Sequence, residues 1–257
     1  MSGSEAVLNE LRDGVLTITL SNSRANALSL VMIDALQKIF REAARDSQVR
    51  SVLLTGAGGV FSAGQDLTEI RQAENESFRN HLQRTYNPLI LQIRRLEKPV
   101  LAGINGPAAG AGLGIALACD LRIASDTARF VVGFLGIGLA PDSAVSLLLP
   151  SLIGLGRAAE FTFTNEPIGA QQALNWGLVN RLVPSDSLSQ QAFEWALAIA
   201  HGPVHAMGLA KRDFNKAVLS QLEAVLDYEA QIQEIAGKGD EHHEGVRAFF
   251  EKRAPRF

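Results

Sequence analysis

Val100-Leu101-Ala102-Gly103-Ile104 and, earlier, Ser51-Val52-Leu53-Leu54-Thr55 are short apolar runs without alternation. A strand with one face in water alternates apolar and polar residues, so continuous runs of this kind read as strands buried on both faces, the mark of a parallel sheet covered by helices. Leu16, Ile18 and Leu20 alternate with polar or small neighbours in a further strand that runs into the turn-rich Ser21-Asn22-Ser23-Arg24. Leu30 to Ala44 reads as a helix, and Leu121 to Ala124, Arg129 to Val132 and Leu178 to Val183 as strands. Strand and helix signals alternate through the first ~190 residues, which sets the fold class as α/β with crossover connections. From Leu188 onward strand signals vanish. Leu222, Val225, Leu226, Ile232 and Ile235 then fall at spacings that place an apolar stripe on a long helix.

A chain of 257 residues, 47% hydrophobic and 20% charged, can bury a substantial core as one large domain or a domain with an appendage. Its net charge of −3 gives no attraction to nucleic acid or to an anionic membrane. Met1-Ser2-Gly3-Ser4-Glu5 lacks the basic and apolar regions of a signal peptide, and no apolar run approaches the roughly 18 residues of a membrane span. The lone Cys119 reads as a buried thiol in a reducing compartment. These features predict a cytoplasmic protein with no nucleic-acid or membrane partner. Gly202-Pro203 breaks the helical spacing of His201 and His205, and His242-His243 point apart, so no metal site is expected.

Two small-residue loops follow buried strands. In the first, Phe61-Ser62-Ala63-Gly64-Gln65-Asp66, small residues let backbone approach a ligand closely. Asp66 and Glu69 have capping-box spacing for a helix starting at Leu67, so locally Asp66 reads as an N-cap. The second, Asn105-Gly106-Pro107-Ala108-Ala109-Gly110-Ala111-Gly112-Leu113-Gly114, runs into a small-residue helix over Ile115 to Ala118. A helix N-terminus offers unpaired N–H groups and a positive dipole end, suited to developing negative charge. The same glycines could serve helix-to-sheet packing. A dinucleotide site fits poorly, since the spelling is G-x-G-x-G and Asp126 comes too early for the usual ~20-residue offset.

Asn26-Ala27-Leu28, the two loops, Cys119-Asp120-Leu121-Arg122-Ile123-Ala124, Ala173-Leu174-Asn175-Trp176-Gly177-Leu178-Val179 and the closing Phe250 to Phe257 together resemble the enoyl-CoA hydratase/isomerase, or crotonase, family across essentially the whole chain. The resemblance implies a superhelix of β-β-α turns over residues 1–190 that binds acyl-CoA, followed by a helical oligomerisation region over 191–257, in a homo-trimer or hexamer. It implies an oxyanion hole made by the backbone N–H groups of Gln65 and Ala111. Its substrate-binding set is Arg24, Ala25, Ala27, Ala63, Gly64, Asp66, Leu67, Phe134 and Lys252. No cofactor is implied, because coenzyme A is part of the substrate. Arg24 is the first candidate cation for the coenzyme A phosphates, with Lys211 and Lys252 as further ones, across a subunit boundary if need be.

Hydratases of this family use two glutamates, and the corresponding positions here are Gly114 and Phe134. One acid remains nearby, Asp142 in Leu139-Ala140-Pro141-Asp142-Ser143. On pattern it reads as the N-cap of a helix starting near Ser143 and equally as a base, because apolar surroundings would raise its pKa. A single carboxylate suffices to move a double bond. With Tyr86-Asn87-Pro88-Leu89 and Phe134, the motif is most similar to the 1,2-epoxyphenylacetyl-CoA isomerases of phenylacetate degradation, a subgroup whose relatives also shift Δ3 to Δ2 double bonds in fatty acid metabolism. An atypical hydratase, an enzyme resembling 4-chlorobenzoyl-CoA dehalogenase, which has an aspartate nucleophile in this register, and a non-catalytic acyl-CoA-binding member are the alternatives.

Overall fold

Asp13 and Gly14, at φ of 52° and 82°, turn the chain so that β1 (Val7–Arg12) pairs antiparallel with β2 (Val15–Leu20). The matching twist of such two-residue turns favours a hairpin. The computed structural model describes residues 6–72 and 77–257, so Met1 to Glu5, and the leader reading made on them, lie outside the described residues. Beyond β2 the main sheet is parallel: β2 pairs with β3 (Ser51–Gly56), β3 with β4 (Val100–Ile104), β4 with β6 (Leu121–Ser125) and β6 with β9 (Arg181–Val183). A smaller sheet holds β5 (Ala108–Ala109), β7 (Arg129–Val131) and β8 (Ile168–Gly169). Bridges of Ser62 to Ala108 and of Leu28 to Gln65 carry that second row back towards the N-terminus. The passes β2, β3, β4 and β6 are thus each followed by a short extended segment and then a helix, the superhelix of β-β-α turns.

Between the strands run α1 (Leu30–Arg45), α2 (Leu67–Gln72), α3 (Phe78–Arg84), α4 (Tyr86–Arg95), α5 (Ala111–Ala118), α6 (Val145–Ile153), α7 (Leu155–Thr164) and α8 (Ala170–Trp176). The C-terminal region is helical: α9 (Leu188–Ala200), α10 (Val204–Val218), α11 (Leu222–Ala236) and α12 (Asp240–Glu251). Both faces of the central strands β3 and β4 are buried, as their unbroken apolar runs require. Val52, Leu54, Val100, Ala102 and Ile104 join the larger core, while Leu53, Leu101 and Ile123 pack with Ala192 and Ala196 of α9.

Two sequence expectations change. The strand read over Leu178 to Val183 shortens to Arg181–Val183, because Gly177 caps α8 at φ 82° and the N–H of Leu178 returns to the Ala173 carbonyl. The stripe of the tail helix is also different. Leu222, Leu226 and Ala230 of α11 are buried, but Ile235 is 70% exposed, and Glu229 and Gln233 occupy the inner face. That face meets α3, α4 and α6, where polar groups need it.

Candidate active site

The two glycine loops meet at Gly64. Its φ of +86° suits glycine, and a Cβ placed there would lie 2.8 Å from the Ala109 carbonyl oxygen and 3.5 Å from the Ala111 nitrogen. The Leu28 N–H donates to the Gly64 oxygen at 2.8 Å and the Asp66 N–H to the Leu28 oxygen at 3.2 Å, which turns the intervening Gln65 N–H away from Leu28. Ala111 is the first residue of α5, ahead of the first intrahelical bond, from the Gly114 N–H to the Gly110 oxygen. Among the described residues neither the Gln65 nor the Ala111 N–H donates to a backbone carbonyl. Both N–H groups thus lie beside Gly64 without a backbone acceptor among the described residues, that of Ala111 at the positive end of a helix.

Both loops line a cleft of about 480 Å³. Its exposed rim carries Arg24, which donates to Asp66 Oδ2 at 3.0 Å and to Thr68 Oγ1 at 2.6 Å. Asp66 also accepts from the Thr68 N–H at 2.9 Å, so it is the N-cap that its spacing predicted. Glu69 does not close the capping box; it reaches instead to the Leu30 N–H at the start of α1. Burial works to raise the pKa of Asp66, but the bonds from Thr68 and Arg24 outweigh it and hold the carboxyl below its ordinary range. The far wall is apolar, built by Val131, Phe134, Ile137 and Leu139, with Asp142 among them.

Asp142 is 5% exposed. Its Oδ1 accepts from Ser143 Oγ at 2.7 Å and its Oδ2 from Gln233 Nε2 at 2.7 Å. Burial pushes its pKa up to about 6 in spite of those bonds, which lower it. Its spacing reads equally as the cap of a helix starting near Ser143 and as a base; the structure removes the first, since α6 has no side-chain cap of its own. Helix α6 begins at Val145 after two residues at positive φ, Ser143 at 56° and Ala144 at 62°. The cap comes from Glu229 of α11, whose carboxylate accepts from the N–H groups of Ala144 at 2.8 Å and Ser146 at 3.1 Å. Burial pushes Glu229 up to about 7, and the nearby charge of Asp142 adds to the shift. With capping delegated, the carboxyl of Asp142 is left for the cleft.

Ala27, Ala63, Gly64, Gln65, Asp66, Leu67, Ala111, Phe134 and Asp142 line this one cleft together with Arg24. Ala25 is not in its lining but accepts the Ala63 N–H at 3.0 Å. Lys252 lies outside the cleft, exposed at the left-handed C-cap of α12. Lys211, expected as a further cation for the phosphates, is instead buried in an ion pair, 2.8 Å from Asp120 Oδ2, and burial lowers its pKa against that partner. Cys119 is buried and its thiol is pushed up to about 12 by burial, an inert packing group. Among the described residues no cluster of three or more His, Cys, Asp or Glu could hold a metal, and no helix is long and apolar enough to cross a membrane. Sequence reasoning missed Glu229 and Gln233, and also Asn165 and Phe249, which line the cleft. Only the polar pair Glu229 and Gln233, four apart on an otherwise apolar helix face, left a readable signal.

A family model described as Enoyl-CoA hydratase/isomerase matches residues 10–257. The chain is 36% identical to 1,2-epoxyphenylacetyl-CoA isomerase of Escherichia coli (strain K12), over 98% of each chain. It is 37% identical to 4-chlorobenzoyl coenzyme A dehalogenase-2 of Arthrobacter sp, over 96% of this chain and 91% of that one. Among solved structures, an enoyl-CoA hydratase from Mycobacterium avium subsp. paratuberculosis K-10 superposes with a TM-score of 0.89 at 33% identity, covering 98% of both chains.

Proposed function

The chain belongs to the enoyl-CoA hydratase/isomerase family, and on that premise we propose that it is an acyl-CoA isomerase in which Asp142 is the single acid/base. The carboxylate of Asp142 takes a proton from C2 of a 3-enoyl thioester. The electron pair of that C–H bond delocalises onto the thioester oxygen, where the N–H groups of Gln65 and Ala111 stabilise the enolate. The Asp142 hydroxyl then returns the proton to C4, leaving the double bond between C2 and C3. The proposal extends to isomerisation of 1,2-epoxyphenylacetyl-CoA, the substrate in the name of the Escherichia coli relative, for which this chain would use the same two N–H groups and the same carboxyl.

The observation that carries this reading is Asp142 itself, a buried carboxyl in the apolar wall of the cleft with its pKa raised to about 6. A base with a pKa near the working pH is both available and strong. Hydration has less support, because the positions of the two hydratase glutamates carry Gly114 and Phe134, and a Cβ on Gly114 would meet Ser143 Cβ at 2.6 Å. The reading is tested with Asp142→Asn: 3-enoyl-CoA isomerisation should collapse, and undiminished turnover refutes it. Water addition to crotonyl-CoA by the unaltered protein would favour a hydratase, and tight acyl-CoA binding without turnover across a substrate panel a non-catalytic member.

For the thioester's coenzyme A moiety, Arg24 at the exposed rim is our candidate cation. A homo-oligomer, trimer or hexamer, is part of the same proposal. It is supported by the exposed apolar side chains of Phe214, Val218, Tyr228 and Ile235 on α10 and α11. Light scattering that finds a monomer at micromolar concentration would overturn it.

A further inference from the structure

Gln233 is wholly buried on the inner face of α11, where helical spacing calls for an apolar side chain. Its Nε2 donates to Asp142 Oδ2 at 2.7 Å, while its Oε1 has no hydrogen-bond partner among the described residues. A buried amide with an unpaired acceptor is costly and calls for a reason.

The chemistry of a proton-carrying carboxyl supplies one. As a carboxylate it only accepts hydrogen bonds; as an acid it presents a hydroxyl that needs an acceptor. A primary amide serves both forms, its NH2 for the first and its C=O for the second, through a half-turn of its terminal torsion. We propose that Gln233 is a positioning residue for Asp142, donating to the carboxylate through Nε2 and, after that half-turn, accepting from the acid through Oε1. This rests on the reading of Asp142 as the base.

The groups around Asp142 leave this task to Gln233. Ser143 Oγ already serves Oδ1. Glu229, from the same helix, is committed to Ala144 and Ser146. Tyr86 of α4 couples to Asp142, but burial first and that charge second raise its pKa far above the ordinary value, so its hydroxyl keeps its proton. Helix α5 brings no ionisable side chain.

The test uses Gln233→Met, which removes donor and acceptor at similar length, and Gln233→Glu, whose protonated form both donates and accepts. One readout is the titration of the Asp142 carboxyl by 13C NMR, its signal assigned by loss in Asp142→Asn; the other is kcat and KM for a 3-enoyl-CoA against pH. Gln233→Met should raise the Asp142 midpoint by about one pH unit, carry the acid limb of kcat with it, and lower kcat at least tenfold while KM changes less than twofold. Gln233→Glu should restore most of the lost kcat near pH 6. An unmoved midpoint in folded Gln233→Met overturns the proposal, as does a parallel fall of kcat and melting temperature that Gln233→Glu fails to rescue. Gln233→Asn, one carbon too short to reach Oδ2, takes the place of Gln233→Met should the latter not fold. If the unaltered protein turns over no 3-enoyl-CoA, the isomerase reading fails, and the midpoint alone decides the role of Gln233.

Discussion

A side-chain carbon on Gly114 would lie 2.6 Å from the Cβ of Ser143 and 2.9 Å from its carbonyl oxygen. The turn that presents Asp142 therefore occupies the space a carboxylate at position 114 would need. Gly114→Glu should destabilise the fold by about 1–3 kcal/mol or more through overpacking, visible as a lower Tm. It should also fail to gain hydration of crotonyl-CoA. Hydration by a stably folded Gly114→Glu protein would mean that the turn yields, and would remove the steric argument against a hydratase.

Replacing Asp142 tests chemistry and stability at once. On the proposed role of Asp142 as general base, Asp142→Asn should lower 3-enoyl-CoA isomerisation about 10²–10⁴-fold. Its carboxyl titrates at about 6 in the folded chain against an ordinary 3.8, so between those values the folded state holds a proton that the unfolded state has released. Stability contributed by the protonated form is lost as pH rises through about 6, and a shift of about two units corresponds to ~3 kcal/mol at most. Asp142→Asn cannot ionise. It should melt above the unaltered protein at pH 8 and close to it near pH 4, and melts that differ equally at both pH values would contradict the raised pKa.

Much of the architecture was legible because it is local. Runs such as Val100 to Ile104 report burial on both faces, and Asp66 sits where an N-cap must. What the sequence hid are contacts between distant segments. Helix α6 carries no capping side chain of its own, and its cap arrives from Glu229, 85 residues on from Ala144. Glu69, read as half of a local capping box, serves α1 instead. In each case the local pattern shows an unmet N–H or a spare carboxylate but not the partner, which only tertiary packing selects. The same holds at the site. Gln65, Ala111 and Asp142 could be placed by resemblance, whereas nothing in the spacing of Gln233 names Asp142 as its partner.

Gly64→Ala asks whether the two loops act together. The substitution puts a methyl group on a backbone at φ +86°, 2.8 Å from the Ala109 oxygen and 3.5 Å from the Ala111 nitrogen. The methyl must push the loops apart, and the N–H groups of Gln65 and Ala111 with them. Misplacing one oxyanion donor typically costs roughly 10²–10³ in kcat. If these N–H groups form the proposed oxyanion hole, the fall should appear in kcat far more than in KM, because such donors act on charge that develops after binding. Unchanged kcat in a folded Gly64→Ala enzyme would separate these N–H groups from catalysis.

Arg24 can do two things, hold Asp66 or bind the coenzyme A phosphates, and the roles predict opposite partners for the same substitution. Its side chain is 61% exposed while that of Asp66 is 7% exposed, so the guanidinium reaches solvent past a carboxylate that stays behind. If it binds phosphate, Arg24→Ala should raise KM for acyl-CoA about tenfold with kcat unchanged, the signature of binding equal in ground and transition states. Asp66→Asn would then free the guanidinium and tighten binding of free coenzyme A, more at low salt than at high salt, because an exposed charge is screened. If Arg24 only neutralises Asp66, whose burial works to raise its pKa, the two substitutions should weaken the rim in the same direction and the salt dependence should vanish. Calorimetric titration of coenzyme A into the two variants at two salt concentrations separates these cases.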